Sequence, residues 1–242
     1  MSTTSLNNDF KAIGENVDTD KVMLHGYHRF YPQELQNIRY DKFGILEIGI
    51  QDGQSMNLWK QYLPNAFVYG LDIGVEYQDD RCKIFMADQG DIHALEQIKQ
   101  LLDPAFPIKC INDDGSHLPE HQIMSFNYLF NEVLCDGGVY IIEDIETSYW
   151  KRGNVYGYPT NYGVLNKNSC IEKFKSLVDY VNRDYINNND KQYINDLTSD
   201  FSYETKQAIS SIRFAQNCII IQKKNPEDYQ YSDRIYGLPQ FI

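Results

Sequence analysis

Continuous apolar runs alternate with amphipathic runs of helical spacing between residues 44 and 144 of the chain. Apolar runs without polar alternation are typical of strands that are buried on both faces of a parallel sheet. Runs with apolar residues three and four positions apart predict the helices that cover such a sheet. The predicted strands are GILEIGI (44–50), FVYGLDI (67–73), KIFMAD (83–88), IKCIND (108–113) and GVYIIED (138–144). The predicted helices between them are SMNLWKQYL (55–63), DIHALEQIKQLL (91–102) and EHQIMSFNYLFNEVL (120–134).

The C-terminal part of the chain follows a different pattern. SCIEKFKSLVDYVN (169–182) has the apolar spacing of a helix, whereas the polar INNNDKQYINDLTSD (186–200) predicts a loop-rich stretch. Two β-type runs, ISSIRFA (209–215) and CIIIQKK (218–224), are separated only by Gln216–Asn217, which predicts an antiparallel hairpin. The mostly parallel sheet would then end in one reversed strand. This α/β layout is typical of the Rossmann-like class I methyltransferases, although other doubly wound folds are compatible with it.

Length, charge and composition narrow the classes of protein that are possible. A chain of 242 residues suits one large α/β domain, or at most two small ones. Its net charge of −12 is repelled by phosphate backbones, so we expect no nucleic-acid partner. No stretch is apolar for long enough to span a bilayer, and MSTTSLNNDF lacks the features of a secretory signal. The five scattered cysteines form no CxxC pair, which favours a reducing, cytoplasmic setting.

The loop LEIGIQDGQS (46–55) follows the first predicted strand and is a candidate for cofactor binding. Gly49 and Gly53 would let the backbone approach a ligand closely, although a tight turn between strand and helix also uses glycine. A dinucleotide loop would need a second glycine where Gln51 stands. The carboxylate of Glu47 suits a ligand with an ammonium group, such as S-adenosylmethionine (SAM), better than it suits a pyrophosphate.

Acidic and amide side chains also lie at the ends of the second and third predicted strands. Asp72 is placed to accept both hydroxyl groups of a ribose, as in NAD sites and SAM sites alike. Asp88 and Gln89 end the third strand, where the adenine amino group of such a cofactor would lie. Together with the loop that contains Glu47, these residues favour SAM over NAD.

Four carboxylates lie at the ends of the fourth and fifth predicted strands; they are Asp113, Asp114, Glu143 and Asp144. Because ligands of open α/β sheets bind at the carboxyl ends of the strands, we expect these side chains in one crevice. Several carboxylates can share a crevice only if their charge is compensated. The basic side chains of Lys151 and Arg152 could compensate this negative charge. The functional alternative is Mg²⁺, which prefers a few carboxylates together with water and substrate oxygens.

His117 lies within one turn of Asp114 in the sequence DDGSH and is a candidate general base. An isolated histidine is usually only a polar turn residue, but imidazole side chains ordinarily titrate near working pH. We expect His121, further along the next helix, to be structural. His25 and His28 could reach the site only if the N-terminal segment folds over it.

Taken together, these motifs resemble those of a known family, the Mg²⁺-dependent, SAM-dependent sugar O-methyltransferases of macrolide and related natural-product biosynthesis. The resemblance is to enzymes of the mycinamicin and rhamnosyl O-methyltransferase type, and it covers about residues 18–223. DDGSH together with IEDIETSYW is specific for this family, whereas the glycine loop alone is not. The motifs are TDK and HGYHRFY (within 19–31), ILEIGIQDGQSMNLWKQYLPNAFVYGLDI (45–73), DQGD (88–91), INDDGSHLPEHQIMSFNYLF (111–130), GGVYIIEDIETSYW (137–150) and ISSIRFAQNCIIIQKK (209–224).

The resemblance implies a role for each matching position. His117 would accept the proton of a sugar hydroxyl. Mg²⁺ would be held by Asp114, Glu143 and Asp144. SAM would be held by Glu47, Gly49, Gly53, Ser55, Asp72, Asp88, Gln89 and Asp113, of which Asp88 is assigned from its strand-end position alone.

The aromatic, glycine-rich stretch WKRGNVYGYPTNYG (150–163) has two interpretations. It is either a surface loop or a lid over the acceptor, since aromatic faces stack on sugars and aglycones. We further expect residues 1–40 to form a segment that covers the active site of a methyltransferase domain at 41–242.

Two rival functions remain open. A catechol-type phenol O-methyltransferase shares the cofactor and the metal but typically uses a lysine as its base. A non-methylating relative, of the kind labelled as a hydroxylase, would not bind SAM. As partners we expect a glycoside or sugar substrate, no membrane, and further copies of the chain in a homo-oligomer, a dimer or larger.

Overall fold

A computed structural model describes residues 3–231 of the chain, and the contacts among residues divide it into two units. The N-terminal unit ends at Gly115, and the C-terminal unit begins at Ser116. Within the described residues, no helix combines the length and the apolar character that crossing a membrane requires.

The N-terminal unit contains four parallel strands and one short antiparallel strand. The strands lie in the order β3-β4-β2-β1-β5, and only β3 runs antiparallel to its neighbour. Ile48 pairs with Leu71 on one side and with Asp113 on the other, so the carboxyl ends of these strands lie at one edge of the sheet. The strands are β1 (Gly44–Ile48), β2 (Phe67–Asp72), β3 (Tyr77–Gln78), β4 (Cys82–Met86) and β5 (Ile108–Asp113).

From residue 3 onwards, five α-helices accompany this sheet. The helix after the glycine loop begins beyond Gly53, whose φ of 78° is left-handed. Phe10 of the first helix packs edge-on against Trp59 and Tyr62, with ring centroids 5.8 and 4.8 Å away. Through these ring contacts, the segment before residue 40 packs against the rest of its unit. The boundary at residue 40 between an N-terminal segment and a methyltransferase domain stays a prediction. The helices are α1 (Thr3–Asn16), α2 (Asp20–Met23), α3 (Tyr31–Leu35), α4 (Gln54–Tyr62) and α5 (Ile92–Leu101).

Up to residue 231, the C-terminal unit contains three antiparallel strands and a separate two-stranded hairpin. β10 pairs antiparallel with both β6 and β9, so it is the reversed strand that the sequence predicts. The hairpin predicted around Gln216–Asn217 is confirmed, because Ala215 pairs with Cys218. The strands are β6 (Val139–Glu143), β7 (Gly153–Val155), β8 (Tyr158–Thr160), β9 (Ile209–Ala215) and β10 (Cys218–Lys223), and the helices are α6 (Pro119–Glu132), α7 (Cys170–Val181), α8 (Asn188–Leu197) and α9 (Tyr203–Ala208).

The prediction of a loop-rich stretch at 186–200 is wrong, because α8 occupies most of it. The side chain of Asn187 caps the helix and accepts a hydrogen bond of 3.0 Å from the backbone N–H of Asp190. Ile194 is buried, whereas most of the other described side chains of the helix face water. A helix with so few buried apolar residues lacks the periodic pattern by which a sequence reveals a helix.

Candidate active site

Gly49 lets the end of β1 approach the chain just beyond β5. Its φ is 84°, and a Cβ atom at this position would lie 2.0 Å from the backbone oxygen of Asp114. The backbone N–H of Asp114 in turn donates to the carbonyl of Ile48 at 2.9 Å. Gly53 is different, since a Cβ there would meet nothing within 4 Å and only its left-handed φ favours glycine. The first glycine is thus required by close packing, and the second by backbone conformation.

Asp72 holds the glycine loop through its carboxylate. Its Oδ2 accepts hydrogen bonds from the backbone N–H groups of Ile50 at 2.8 Å and Gln51 at 3.2 Å, and its Oδ1 accepts one from Gly74 at 2.7 Å. Partial burial works to raise the pKa of this carboxyl, but the backbone donors outweigh it and lower the pKa below 3.8. Asp72 is therefore ionised at neutral pH and shapes the loop in addition to any contact with a ligand.

Gln89 and Asp113 lie together at the same edge of the sheet. The side-chain amide of Gln89 donates to Asp113 Oδ1 at 2.6 Å, and both side chains are buried. A Cβ at Gly115 would lie 2.3 Å from Gln89 Oε1, so the chain after β5 also passes close to this amide. Asp88 is exposed to solvent, and its carboxylate accepts the backbone N–H of Gly90 at 2.7 Å.

Glu47 lies in the interior of the N-terminal unit and is fully buried. Its carboxylate accepts hydrogen bonds from Trp59 Nε1 at 2.8 Å and Asn112 Nδ2 at 3.2 Å, and it also interacts with Ser55. Burial raises the pKa of Glu47, and the Lys21 ammonium 2.9 Å away opposes that shift without overcoming it. The sequence predicts the ammonium group of a ligand beside Glu47, whereas the ammonium that the structure places beside this carboxylate is that of Lys21.

Lys21 is a site residue that the sequence analysis misses. Its Nζ lies 2.9 Å from Glu47 Oε1 and 2.5 Å from Asp114 Oδ2, and its side chain is 1% exposed. The signal was available, because Lys21 is the last residue of the TDK motif. Near it in the sequence, His25 stacks on Tyr27, and burial lowers the pKa of His28.

His117 and Asp144 meet within the C-terminal unit. His117 Nε2 lies 3.9 Å from Asp144 Oδ2, and both residues adopt left-handed backbone conformations, with φ of 54° and 51°. Thr147 donates its hydroxyl to the backbone oxygen of His117 at 2.9 Å, which holds the turn in place. Among the residues that the structure describes, none hydrogen-bonds to the buried Nδ1 of His117. A buried histidine with a left-handed backbone and such a ring nitrogen is the kind of residue that is frequent at functional sites.

The other proposed ligands differ in their access to water. The side chains of Asp114 and Asp144 are 19% and 16% exposed to solvent, whereas Glu143 is buried. Lys151 and Arg152, which could have compensated these carboxylates, are exposed to solvent. Carboxylate oxygens are the hard donors that Mg²⁺ prefers, so the chemistry of Asp114, Glu143 and Asp144 fits this ion.

The aromatic stretch 150–163 contains the β7–β8 hairpin, which contacts the start of α6. The Tyr156 ring lies 6.0 Å from that of His117, and the Tyr158 ring lies 6.1 Å from that of His121. His121 Nδ1 is also 3.0 Å from Ser116 Oγ, consistent with a structural role. This stretch is thus an ordered hairpin, and Tyr156 lies beside the candidate base while remaining largely exposed.

Comparison with known proteins identifies similar enzymes along part of the chain. No protein-family model matches it. It is 35% identical over 141 residues to 8-demethyl-8-alpha-L-rhamnosyl tetracenomycin-C 2'-O-methyltransferase of Streptomyces olivaceus, in a match that covers 54% of this chain and 36% of the relative. It is also 35% identical over 152 residues to mycinamicin VI 2''-O-methyltransferase of Micromonospora griseorubida, covering 59% of this chain and 37% of the relative. The chain thus spans less than half the length of these relatives.

Among solved structures, the chain resembles the MycE methyltransferase of the mycinamycin biosynthetic pathway, determined in complex with Mg, SAH and mycinamycin VI. The TM-score is 0.75 at 24% identity, and the match covers 96% of this chain and 57% of that chain. This likeness shows the fold, a class I methyltransferase fold with a mostly parallel sheet and an antiparallel strand pair. The sequence homologues are sugar O-methyltransferases of tetracenomycin and macrolide pathways, as the resemblance implies.

Proposed function

We propose that the chain is an O-methyltransferase that moves a methyl group from SAM to a hydroxyl of a sugar on a natural product or glycan. The observation that carries the proposal is the approach of His117 to Asp144, 3.9 Å apart, in a chain whose homologues are sugar O-methyltransferases. This pair combines a candidate base with a candidate metal ligand. An alcohol hydroxyl is very weakly acidic, and a general base and a metal ion both assist its deprotonation.

The residues of the chain divide between cofactor, metal and proton transfer. We propose that Asp72 binds the ribose and that Asp88 and Gln89 border the adenine. The other residues proposed to hold SAM are Glu47, Gly49, Gly53, Ser55 and Asp113. When bound, SAM supplies the methyl group, and Mg²⁺ supplies a Lewis acid that makes a hydroxyl easier to deprotonate.

For the metal we propose Asp114, Glu143 and Asp144 as ligands. Two of these carboxylates are partly open to solvent, and the third is buried at the end of β6. His117 would accept the proton of the acceptor hydroxyl. The exposed ring of Tyr156 beside it offers a face on which a sugar ring can pack.

Lys21 argues against the catechol-type alternative, in which a lysine acts as the base. Its Nζ lies within 2.9 Å of two carboxylates, Glu47 and Asp114, and its side chain is only 1% exposed. A lysine held in this way compensates charge rather than moving protons.

The experiment is a methyl-transfer assay with radiolabelled SAM. The purified chain is incubated with rhamnosyl and olivosyl glycosides and, in parallel, with catechol acceptors. We expect label in a glycoside product only, loss of turnover in EDTA, and recovery on adding Mg²⁺ or Mn²⁺. Transfer to catechols alone would support the alternative enzyme, and the absence of SAM binding would support a non-methylating protein. Full turnover on a glycoside in EDTA would contradict the metal assignment.

The remaining expectations on setting and partners form part of the same proposal. The net charge of −12 disfavours nucleic acid, and free cysteines suit a reducing cytoplasm. A homo-oligomer, a dimer or larger, would be detected by light scattering coupled to size-exclusion chromatography.

A further inference from the structure

The turn between β9 and β10 contacts three successive residues that follow β6. Asn217 donates its side-chain amide N–H to Asp144 Oδ1 at 3.0 Å. Its side-chain oxygen accepts the backbone N–H of Glu146 at 3.0 Å, and its backbone oxygen accepts that of Ile145 at 3.4 Å. A single residue thus binds one carboxylate and two backbone donors at the end of β6.

These contacts hold an unusual backbone conformation. Asp144 has a φ of 51° and Asn217 a φ of 63°, both in the left-handed region. Asp and Asn are the side chains other than glycine that tolerate this region best, but it remains unfavourable unless surrounding contacts impose it. The three hydrogen bonds in which Asn217 takes part, one as donor and two as acceptor, are contacts of that kind.

The contact with Asn217 fixes the orientation of the Asp144 carboxylate. Oδ1 is held by the Asn217 amide, whereas Oδ2 lies 3.9 Å from His117 Nε2. A carboxylate with one oxygen fixed by an N–H donor cannot rotate freely, so the direction of the other oxygen is also fixed. Hydrogen-bond partners behind metal ligands act in this way and raise metal affinity.

We infer that Asn217 is a positioning residue for Asp144. It orients the Asp144 carboxylate, whose Oδ2 faces His117, for metal binding. This inference rests on the proposed function, in which Asp144 is a Mg²⁺ ligand. Asn217 itself touches neither metal nor substrate in this scheme and acts through the carboxylate.

The test compares two glycine variants within the same turn. Asn217→Gly removes the amide and keeps the left-handed backbone, since glycine adopts a positive φ without strain. Gln216→Gly, at the exposed neighbouring position, is the matched control. The metal-free protein is titrated with Mn²⁺ and with Mg²⁺ in a calorimeter, and separately with S-adenosylhomocysteine.

We expect Asn217→Gly to bind Mn²⁺ about 10- to 100-fold more weakly than the unmodified chain, the range typical of lost partners behind metal ligands. Gln216→Gly should match the unmodified chain, and both variants should keep its affinity for S-adenosylhomocysteine. Equal Mn²⁺ affinity of the two variants would overturn the role of Asn217 and leave the proposed function standing. If the unmodified chain binds neither cation, the metal site and the inference fail together.

Discussion

Lys21 Nζ lies 2.9 Å from Glu47 Oε1, and both side chains are shielded from solvent, with exposures of 1% and 0%. The same ammonium also contacts Asp114, so one buried cation compensates two carboxylates. Removing one partner of a buried ion pair leaves an uncompensated charge, which costs far more than the loss of an exposed pair. The N-terminal segment that carries Lys21 is thereby tied to the strand ends that carry the carboxylates.

We therefore predict that Lys21→Met lowers the free energy of unfolding by about 3–5 kcal/mol. The measurement is urea denaturation at neutral pH. Lys11→Met is the control, because Lys11 and Glu15 form a half-exposed pair at 3.6 Å whose loss should cost less than about 1 kcal/mol. Adding Glu47→Gln to Lys21→Met should recover part of the loss. If Lys21→Met and Lys11→Met lowered the free energy of unfolding equally, the buried ion pair would contribute no more to stability than the exposed one.

Asp72→Ala should weaken SAM binding by about tenfold or more, because hydrogen bonds to a charged acceptor are among the stronger ones. The change removes the proposed ribose contact and also the anchor of the glycine loop at Ile50 and Gln51. Calorimetric titration with SAM measures the effect. Glu76→Ala, at a nearby exposed carboxylate, should bind SAM normally. An unchanged affinity in Asp72→Ala would refute the placement of the cofactor.

His117→Ala should lower kcat on a verified sugar acceptor by about a hundredfold or more, the range typical of lost proton transfer. SAM affinity should stay nearly the same, since none of the residues proposed to hold SAM is changed. His121→Ala is the matched control, because that ring contacts Ser116 and Tyr158 instead. Should His117→Ala keep a normal kcat, the base would have to be sought among His25, His28 and the tyrosines of residues 150–163.

Tyr62→Phe should leave stability at pH 7 unchanged or raise it by up to about 1 kcal/mol. The Tyr62 ring is fully buried, and within the described part of the chain its hydroxyl has no hydrogen-bond partner. Burial raises the pKa of Tyr62 from 10.0 to about 12. The native protein therefore loses stability through this group as the pH rises from 10 towards 12, because the unfolded state ionises first.

The phenylalanine variant lacks that loss, so its advantage over the unmodified chain should grow above pH 10. Urea denaturation at pH 7, 10 and 11 measures the difference. Tyr193→Phe, at an exposed ring, should show no comparable pH dependence. An advantage that is constant with pH would mean that Tyr62 ionises equally in the folded and unfolded states.

The sequence by itself predicted most of the strands and helices between residues 44 and 144, the C-terminal hairpin, and the positions of the candidate site residues. Continuous apolar runs predict β1, β2, β4, β5 and β6 within two residues of their observed ends. A strand that is buried on both faces needs apolar residues at consecutive positions, so its sequence alone reveals it. The hairpin at Gln216–Asn217 was predictable from its short connection. The polar helix α8 was not, since it buries too little apolar surface to leave a periodic pattern.

Only the tertiary structure decided which side chains are partners. Lys21 and Glu47 are 26 positions apart, and Asn217 and Asp144 are 73 apart. Periodicity assigns a residue to a face or to an edge of a sheet, but it contains no information on which distant side chain meets it there. The left-handed backbone of His117 and Asp144 is likewise imposed by surrounding contacts. The sequence thus predicts the candidate carboxylates and the candidate histidine. Only the tertiary structure shows that Lys21 contacts Glu47 and Asp114 and that Asn217 contacts Asp144.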